Sequence, residues 1–208
     1  MSKKPATKRG YHHEDLRRAL LDAAIAYLRQ GDVTGLTIQV LARAAGVSPG
    51  APYHHFPDKV SILAALATEG FALVIEQSRR AVAESSSPSE QLRNFASTWL
   101  RFAGTHPSHY RVMFLPDIED RTRFADLHAT SGAGLALLLD VLARGLPNAS
   151  PLALKSRAVV VWSLLHGFAS LRNGGVLANV PSLPAITVLE KATVAHVVAT
   201  AFLSGEID

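Results

Sequence analysis

Apolar residues recur three and four places apart along almost the whole chain, and one short stretch breaks the pattern. That stretch is GVSPGAPYHHF, residues 46–56. Leu16, Leu20, Ala23, Ala24, Tyr27 and Leu28 form one stripe before it, and Ile62, Leu63, Leu66, Gly70, Leu73 and Val74 form another after it. Such spacing buries one face of an α-helix. No segment alternates apolar and polar residues between Asn-Gly turns, so no sheet is expected. Val159, Val160 and Val161 are β-prone but lie inside a long helical period. The expectation is therefore an all-α chain, with a compact polar insert between two apolar helices.

Capping residues set the predicted boundaries. The first helix runs from about Glu14 to the break at Gly31–Gly35. Thr37 can cap a short second helix, because its hydroxyl accepts a free N–H of the first turn. Gly46 ends that helix, since glycine takes positive φ most readily. Ser48 is expected to cap a third helix with Pro49 in its first turn. Asp58 caps a fourth, reaching about Glu84. Ser87, Pro88 and Glu90 spell a capping box for the next. A short helix follows between Pro107 and Pro116, then one from about Glu119 to Arg144 that SGAG (131–134) can bend. Two long helices close the chain, from Ser150-Pro151 to Gly174 and from Leu183 or Pro184 to Leu203. The layout is an arm and three-helix domain over residues 1–57, and a larger helical bundle over 58–208.

Two short helices joined by a glycine turn make a helix-turn-helix, with LTIQVLARAAG as the first and SPGAPYHHF as the second. A helix that enters the major groove must be short and carry small or polar residues there. Gly50 and Ala51 allow a close backbone approach. Tyr53, His54 and His55 can donate to phosphate oxygens or base edges. The free N–H groups at Ser48 point the positive end of the helix at phosphate.

The charge pattern agrees. Residues 1–60 hold nine Lys/Arg against five Asp/Glu, whereas residues 61–208 hold twelve of each, so the whole net charge of +4 sits at one end. A basic end on a neutral body suits a polyanion partner. Lys3, Lys4, Lys8 and Arg9 form an arm that either touches phosphates or is merely solvated. Absence of cysteine removes disulfides, thiol nucleophiles and thiolate zinc sites, and fits a cytoplasmic location. No run of eighteen apolar residues suggests a membrane span, and the charged N-terminus lacks the apolar stretch of a signal peptide. No P-loop or H-E-x-x-H occurs, so neither an enzyme nor a cofactor is expected. Adjacent His54 and His55 diverge on a helix and lack a third ligand at metal spacing, so no metal is expected either.

Gly46, Val47, Ser48, Gly50, Tyr53, His55, Phe56 and Lys59, in the order G-V-S-x-G-x-x-Y-x-H-F-x-x-K, resemble the DNA-binding signature of TetR-family transcriptional regulators. Leu36-Thr37-Ile38, Leu41-Ala42 and Ala45 match that family's first motif helix, and the similarity is dense over residues 14–70. It implies DNA-facing roles for Thr37, Gln39, Ser48, Pro49, Gly50, Ala51, Tyr53, His54, His55 and Lys59. Tyr53 and Lys59 correspond to phosphate contacts and Gln39 to a reader from the first helix; glutamine pairs well with adenine N6 and N7. Two departures stand out. Pro49, Gly50 and Ala51 occupy base-reading positions without a side-chain hydrogen bond to offer, which weakens direct readout there. Pro52 replaces the usual aliphatic residue and removes one helical N–H, so an irregular start is expected.

Further on, Trp162, His166 and Gly167, after HPSHYRVMF, resemble a C-terminal ligand-binding module of the Trp-His-Gly type. Trp162 and His166 share a helix face at i, i+4. They and Trp99, Phe102, Met113 and Phe114 either line an effector cavity or simply pack the core. The resemblance implies a dimeric regulator, most simply a repressor on a palindromic operator, released by a small apolar effector and paired through the last two long helices. An apolar-ligand carrier or enzyme with an incidental basic end, and a nonspecific DNA binder, are the alternatives.

Overall fold

The computed structural model describes residues 11–31, 33–118, 120 and 123–203, with side chains from Asp15 onward. The basic arm of residues 3–9 lies outside the described residues. Among these described residues eight α-helices follow one another: α1 (Tyr11–Leu28), α2 (Ile38–Ala44), α3 (Lys59–Ala83), α4 (Pro88–Thr105), α5 (Pro107–Met113), α6 (Ala125–Gly145), α7 (Pro151–Asn173) and α8 (Ile186–Ala201). No strand occurs among the described residues, so the all-α expectation holds.

Local chemistry explains most of the boundaries. Thr37 accepts the Val40 N–H at 3.2 Å and starts α2. Gly46 at φ +68° ends the turn after it, and Gly31 at φ +90° ends the turn after α1. Asp58 caps α3 in a full capping box, with Ser61 N donating to its carboxylate at 2.8 Å. Ser150 caps α7 by accepting the Ala153 N–H at 3.2 Å.

Three expected helix starts shift and one expected cap is missing. Ser48 caps no α-helix: the segment after Gly46 is a single 3₁₀ turn, Ala51–His54, preceded by Gly50 without a side-chain cap. The reason is Pro52, which has no N–H to return to the Ser48 carbonyl; Ala51 N takes that carbonyl instead, at 3.1 Å. Ser87 precedes α4 as expected but makes no side-chain cap bond, and the capping box does not close: the Ser87 N–H donates to Ser85 Oγ at 3.3 Å and the Glu90 carboxylate accepts from the Ser85 hydroxyl at 2.6 Å. The helix expected from Glu119 begins only at Ala125: Pro116–Ile118 forms a 3₁₀ turn that buries Ile118 first. SGAG remains helical within α6. The last helix begins at Ile186 rather than at Leu183 or Pro184.

The core is one continuous cluster, running from Leu20, Leu21 and Ala24 in α1 through α3 and α4 to Val194, Val197 and Val198 in α8. Its axis is α3, which packs most extensively on α4, α5 and α6. By length and composition α3 and α6 are apolar enough to cross a membrane; in α3 that apolarity is spent on its three helical neighbours. Gly70 lets α5 lie close, since a Cβ there would stand 2.8 Å from Met113 Sδ. On the other side, Arg172 of α7 reaches the Leu100 carbonyl of α4 at 2.7 Å and Glu190 of α8 at 2.9 Å. One guanidinium thus fastens three helices.

Candidate functional site

The residues assigned to DNA by sequence gather at one end, around α2 and the 3₁₀ turn. Thr37, Gln39, Ser48, Pro49, Gly50, Tyr53 and His54 are exposed, while Ala51 and His55 are half-buried. Tyr53 is 47% exposed, so its ring is not a core aromatic. Gln39 Nε2 donates to the Tyr53 hydroxyl at 3.3 Å and fixes the two side chains relative to each other. Phe56, by contrast, is buried beneath them, with the Arg17 guanidinium 5.3 Å from its ring centre. Lys59, expected at phosphate, also reaches back: its ammonium donates to the Val33 carbonyl at 2.8 Å, toward the turn between α1 and α2. Asp58 beside it is held by Arg123 as well as by its cap. Burial pushes the Asp58 carboxyl up, but the Ser61 N–H and the Arg123 guanidinium outweigh this and hold it below its ordinary range.

A second group of residues surrounds two cavities in the larger part of the chain. A groove of about 630 Å³ lies between the end of α1, α5 and the end of α7; Arg29, Tyr110, Arg111, Phe114, His166 and Ser170 are among its walls. A small apolar cavity of about 30 Å³ lies behind it, lined by Phe71, Phe95, Trp99, Gly134, Trp162 and Leu165 among others. Phe114 joins the two, with ring centres 4.4 Å from His166 and 6.3 Å from Trp162. The structure therefore brings Phe114 and His166 to the groove and Trp99 and Trp162 to the inner cavity. Phe102 and Met113 are fully buried and line neither of the two.

The polar chemistry of the groove centres on Tyr110 and His166. Tyr110 Oη lies 3.0 Å from His166 Nδ1. Burial pushes the tyrosine up to about 12, against a small opposing pull from the Trp99 indole, whose own N–H is buried without an acceptor at bonding geometry. Burial likewise lowers His166. A protonated phenol and a neutral imidazole make Tyr110 the donor and Nδ1 the acceptor. That tautomer leaves Nε2–H facing Ser170 Oγ at 3.4 Å. Tyr110, Arg111 and Arg29 were not singled out by sequence. Their grouping depends on packing between α1, α5 and α7, which no local spacing encodes.

One further feature crosses between the two groups. Arg111 Nη1 donates to the Gly31 carbonyl at 2.7 Å, eighty residues back in the chain. Arg18 of α1 pairs with Glu69 of α3 at 2.8 Å, and Glu69 in turn stands 3.4 Å from His109 Nε2 of α5. The His109 contact is too poorly aligned for a hydrogen bond, and burial lowers His109 despite the carboxylate.

Residues 20–66 match the model described as bacterial regulatory proteins, tetR family, and residues 92–195 match that described as tetracyclin repressor-like, C-terminal domain. The chain belongs to the TetR family. Members of this family are DNA-binding transcriptional regulators with a ligand-binding C-terminal domain. The description of the C-terminal match does not extend to the Trp-His-Gly subtype. Solved structures share the TetR-family fold over nearly the whole chain. A protein of unknown function from Rhodococcus sp. RHA1 is 29% identical, covering 94% of this chain and 97% of its own, with a TM-score of 0.71. The TetR-family transcriptional regulator PfmR from Thermus thermophilus is 21% identical, covering 86% of this chain and 97% of its own, with a TM-score of 0.66. The transcriptional regulator FadR from Bacillus subtilis, solved in complex with stearoyl-CoA, is 17% identical, covering 88% of this chain and 97% of its own, with a TM-score of 0.70.

Proposed function

We propose that this TetR-family chain is a cytoplasmic repressor without enzymatic activity, which binds a near-palindromic operator as a homodimer and leaves it when a small effector enters the larger domain. The observation that carries the DNA half is the exposed Gln39–Tyr53 pair on the helix-turn-helix. A glutamine with one amide N–H held by a hydroxyl presents its carbonyl oxygen and its second N–H in fixed directions, ready to pair with a base edge. That feature compensates for Pro49, Gly50 and Ala51, which offer backbone proximity but no polar side chain. Ser48, His54 and His55 surround the pair and suit phosphate. Lys59 retains two donors for phosphate after it has bound Val33.

Residues 1–57 act as the reading head and residues 58–208 as the sensing and pairing body, with α3 as the link between them. Its capped first turn touches the reading head through Lys59, and its length runs through the bundle beside Trp99 and Met113. A ligand that displaces α5 or α6 tilts α3 and changes the separation of two heads in a dimer, which must match about 34–36 Å of DNA or a multiple of it. FadR of Bacillus subtilis was solved with stearoyl-CoA, whose acyl chain is apolar; for the present chain, the aromatic walls around Phe114 and Trp162 favour an effector with an apolar portion.

Dimerisation through α7 and α8 accounts for the apolar residues that remain in water. Leu152, Val159, Val160, Leu164 and Leu171 of α7 and Ile186 and Val188 of α8 are all more than a third exposed. A single chain that leaves such a patch uncovered usually pairs through it.

A gel shift on the protein's own upstream DNA against scrambled competitor tests the proposal. Specific retardation that survives competitor supports it. Equal binding to both indicates a nonspecific binder, and no binding at low ionic strength, with tight capture of apolar ligands, indicates a carrier.

A further inference from the structure

We propose that the groove between α1, α5 and α7 takes an amphipathic anion, and that Arg111 is the latch through which this anion acts on the DNA-reading helices. The inference rests on the regulator reading above and adds to it the charge class of the effector and the bond that it breaks.

The volume, about 630 Å³, falls in the range of small-molecule sites, roughly 300–1,000 Å³. The walls are of two kinds. Leu28, Tyr110, Phe114 and Leu115 provide an apolar and aromatic surface, and Arg29 and Arg111 provide two guanidinium groups. Among the described lining residues there is no Asp or Glu. His166, lowered by burial, is neutral and adds nothing to the positive charge of the two arginines. A neutral or cationic ligand would gain nothing from the charge of the two exposed guanidinium groups. A ligand with one negative head and an apolar tail satisfies both walls at once.

Arg111 is already engaged, and its partner defines what binding does. The Gly31 carbonyl that it holds lies in the turn leaving α1, at a glycine of φ +90°. Two residues on, the Val33 carbonyl is held by Lys59 at 2.8 Å. The turn that feeds α2 is thus gripped by two cations, one from the effector-side helix α5 and one from the first turn of α3. A carboxylate or phosphate is a stronger acceptor for guanidinium than a neutral carbonyl, because it carries the opposite charge and can accept two parallel N–H bonds. Arg111 is exposed and its side chain can swing without unpacking the core. An anion in the groove therefore takes the guanidinium from Gly31. One of the two grips opens, and α2 with its Gln39–Tyr53 pair loses its fixed position relative to the bundle.

Titration calorimetry on the full chain tests this with decanoate, decyl phosphate, decanol and decyltrimethylammonium. Both anions are expected to bind at least tenfold more tightly than decanol, with the cation weakest; the ratio of decanoate to decyl phosphate assigns the head group. Arg29→Ala and Arg111→Ala should each lose about tenfold for the anions and leave decanol unchanged, which also serves as the check that the variants are folded. Arg111→Lys, which keeps the charge but not the fork, should retain the preference for anions over decanol with reduced affinity. Equal binding of decanol and decanoate, or full decanoate affinity in both alanine variants, overturns the site. The latch is tested separately by operator binding: decanoate should weaken it in the native chain, and Arg111→Ala should bind weakly from the start and ignore decanoate. An Arg111→Ala protein that binds operator normally and still responds to decanoate overturns the latch. If no operator is found for the native chain, the regulator reading fails, while calorimetry still decides whether the groove selects anions.

Discussion

Single residues at helix ends carry effects that are out of proportion to their size. Asp58 holds the first turn of α3, where the reading head meets the bundle, and also binds Arg123. Asp58→Ala is expected to cost about 1 kcal/mol or somewhat more at neutral pH, measured by urea unfolding. Its carboxyl titrates lower in the folded chain than in the unfolded one. The stabilisation is therefore complete above the ordinary aspartate value of about 3.9 and disappears as pH falls through the folded value, so native and Asp58→Ala stabilities should converge in acid. Asp58→Asn, which keeps the cap but not the charge, should recover most of the loss; a deficit as large as that of alanine would show that the Arg123 pair dominates. On the DNA side, Gln39→Ala should relax preference at one base pair of each half-site, and Tyr53→Phe, which frees the Gln39 amide, should blur the same position without abolishing binding. Selection of binding sites from a random pool reads both, and unchanged preference in Gln39→Ala removes it from the readers. Thr37, Asp58 and Ser150 were legible as caps because their bonds close within three residues. Lys59 was legible as a cation at the DNA end but not as a clamp on Val33, because that bond spans a loop whose path the sequence does not encode.

At the level of helices, glycine and proline decide how closely elements approach and where they begin. Gly70 of α3 makes room for Met113 of α5. Gly70→Ala gains helix propensity but drives a methyl into a fully buried side chain, with a net cost of about 1–2 kcal/mol. Met113→Ala alone should cost about 2–5 kcal/mol. The double variant should cost clearly less than the two together, because the new methyl fills part of the space that the sulfur leaves. Strict additivity in thermal or urea unfolding would mean that α5 does not rest on α3 at this point. Pro52 shows the converse. Its ring was visible in sequence as a disruption, yet only the competing bond of Ala51 to Ser48 shows that the outcome is a 3₁₀ turn rather than a delayed α-helix. The late start of α6 was hidden for a similar reason: Asp117 and Glu119 look like a helix beginning, while burial of Ile118 pulls the chain inward first.

Across the whole chain, the apolar period was enough to foresee an all-helical molecule with a small basic head, since periodicity and net charge are summed over many residues and survive local errors. The cavities were not foreseeable in the same way. Trp162 and His166 share one helix face, yet they line different cavities, because Phe114 from α5 wedges between them. The proposed pairing of two copies also belongs to this scale. Val160→Glu or Leu164→Glu on the exposed face of α7 should convert a dimer to monomers in sedimentation velocity and weaken operator binding at least tenfold; a dimer that survives both places the contact on another face. Arg172 should matter more than any surface residue, since its loss leaves Glu190 and the Leu100 carbonyl without their donor, at about 3 kcal/mol in unfolding free energy. That three-way fastening has a mechanical consequence. With α4, α7 and α8 bolted into a stator, strain introduced at α5 is left to deflect α1 and α3, so in the dimeric regulator proposed above the operator is released while the two copies stay joined and ready to rebind as one.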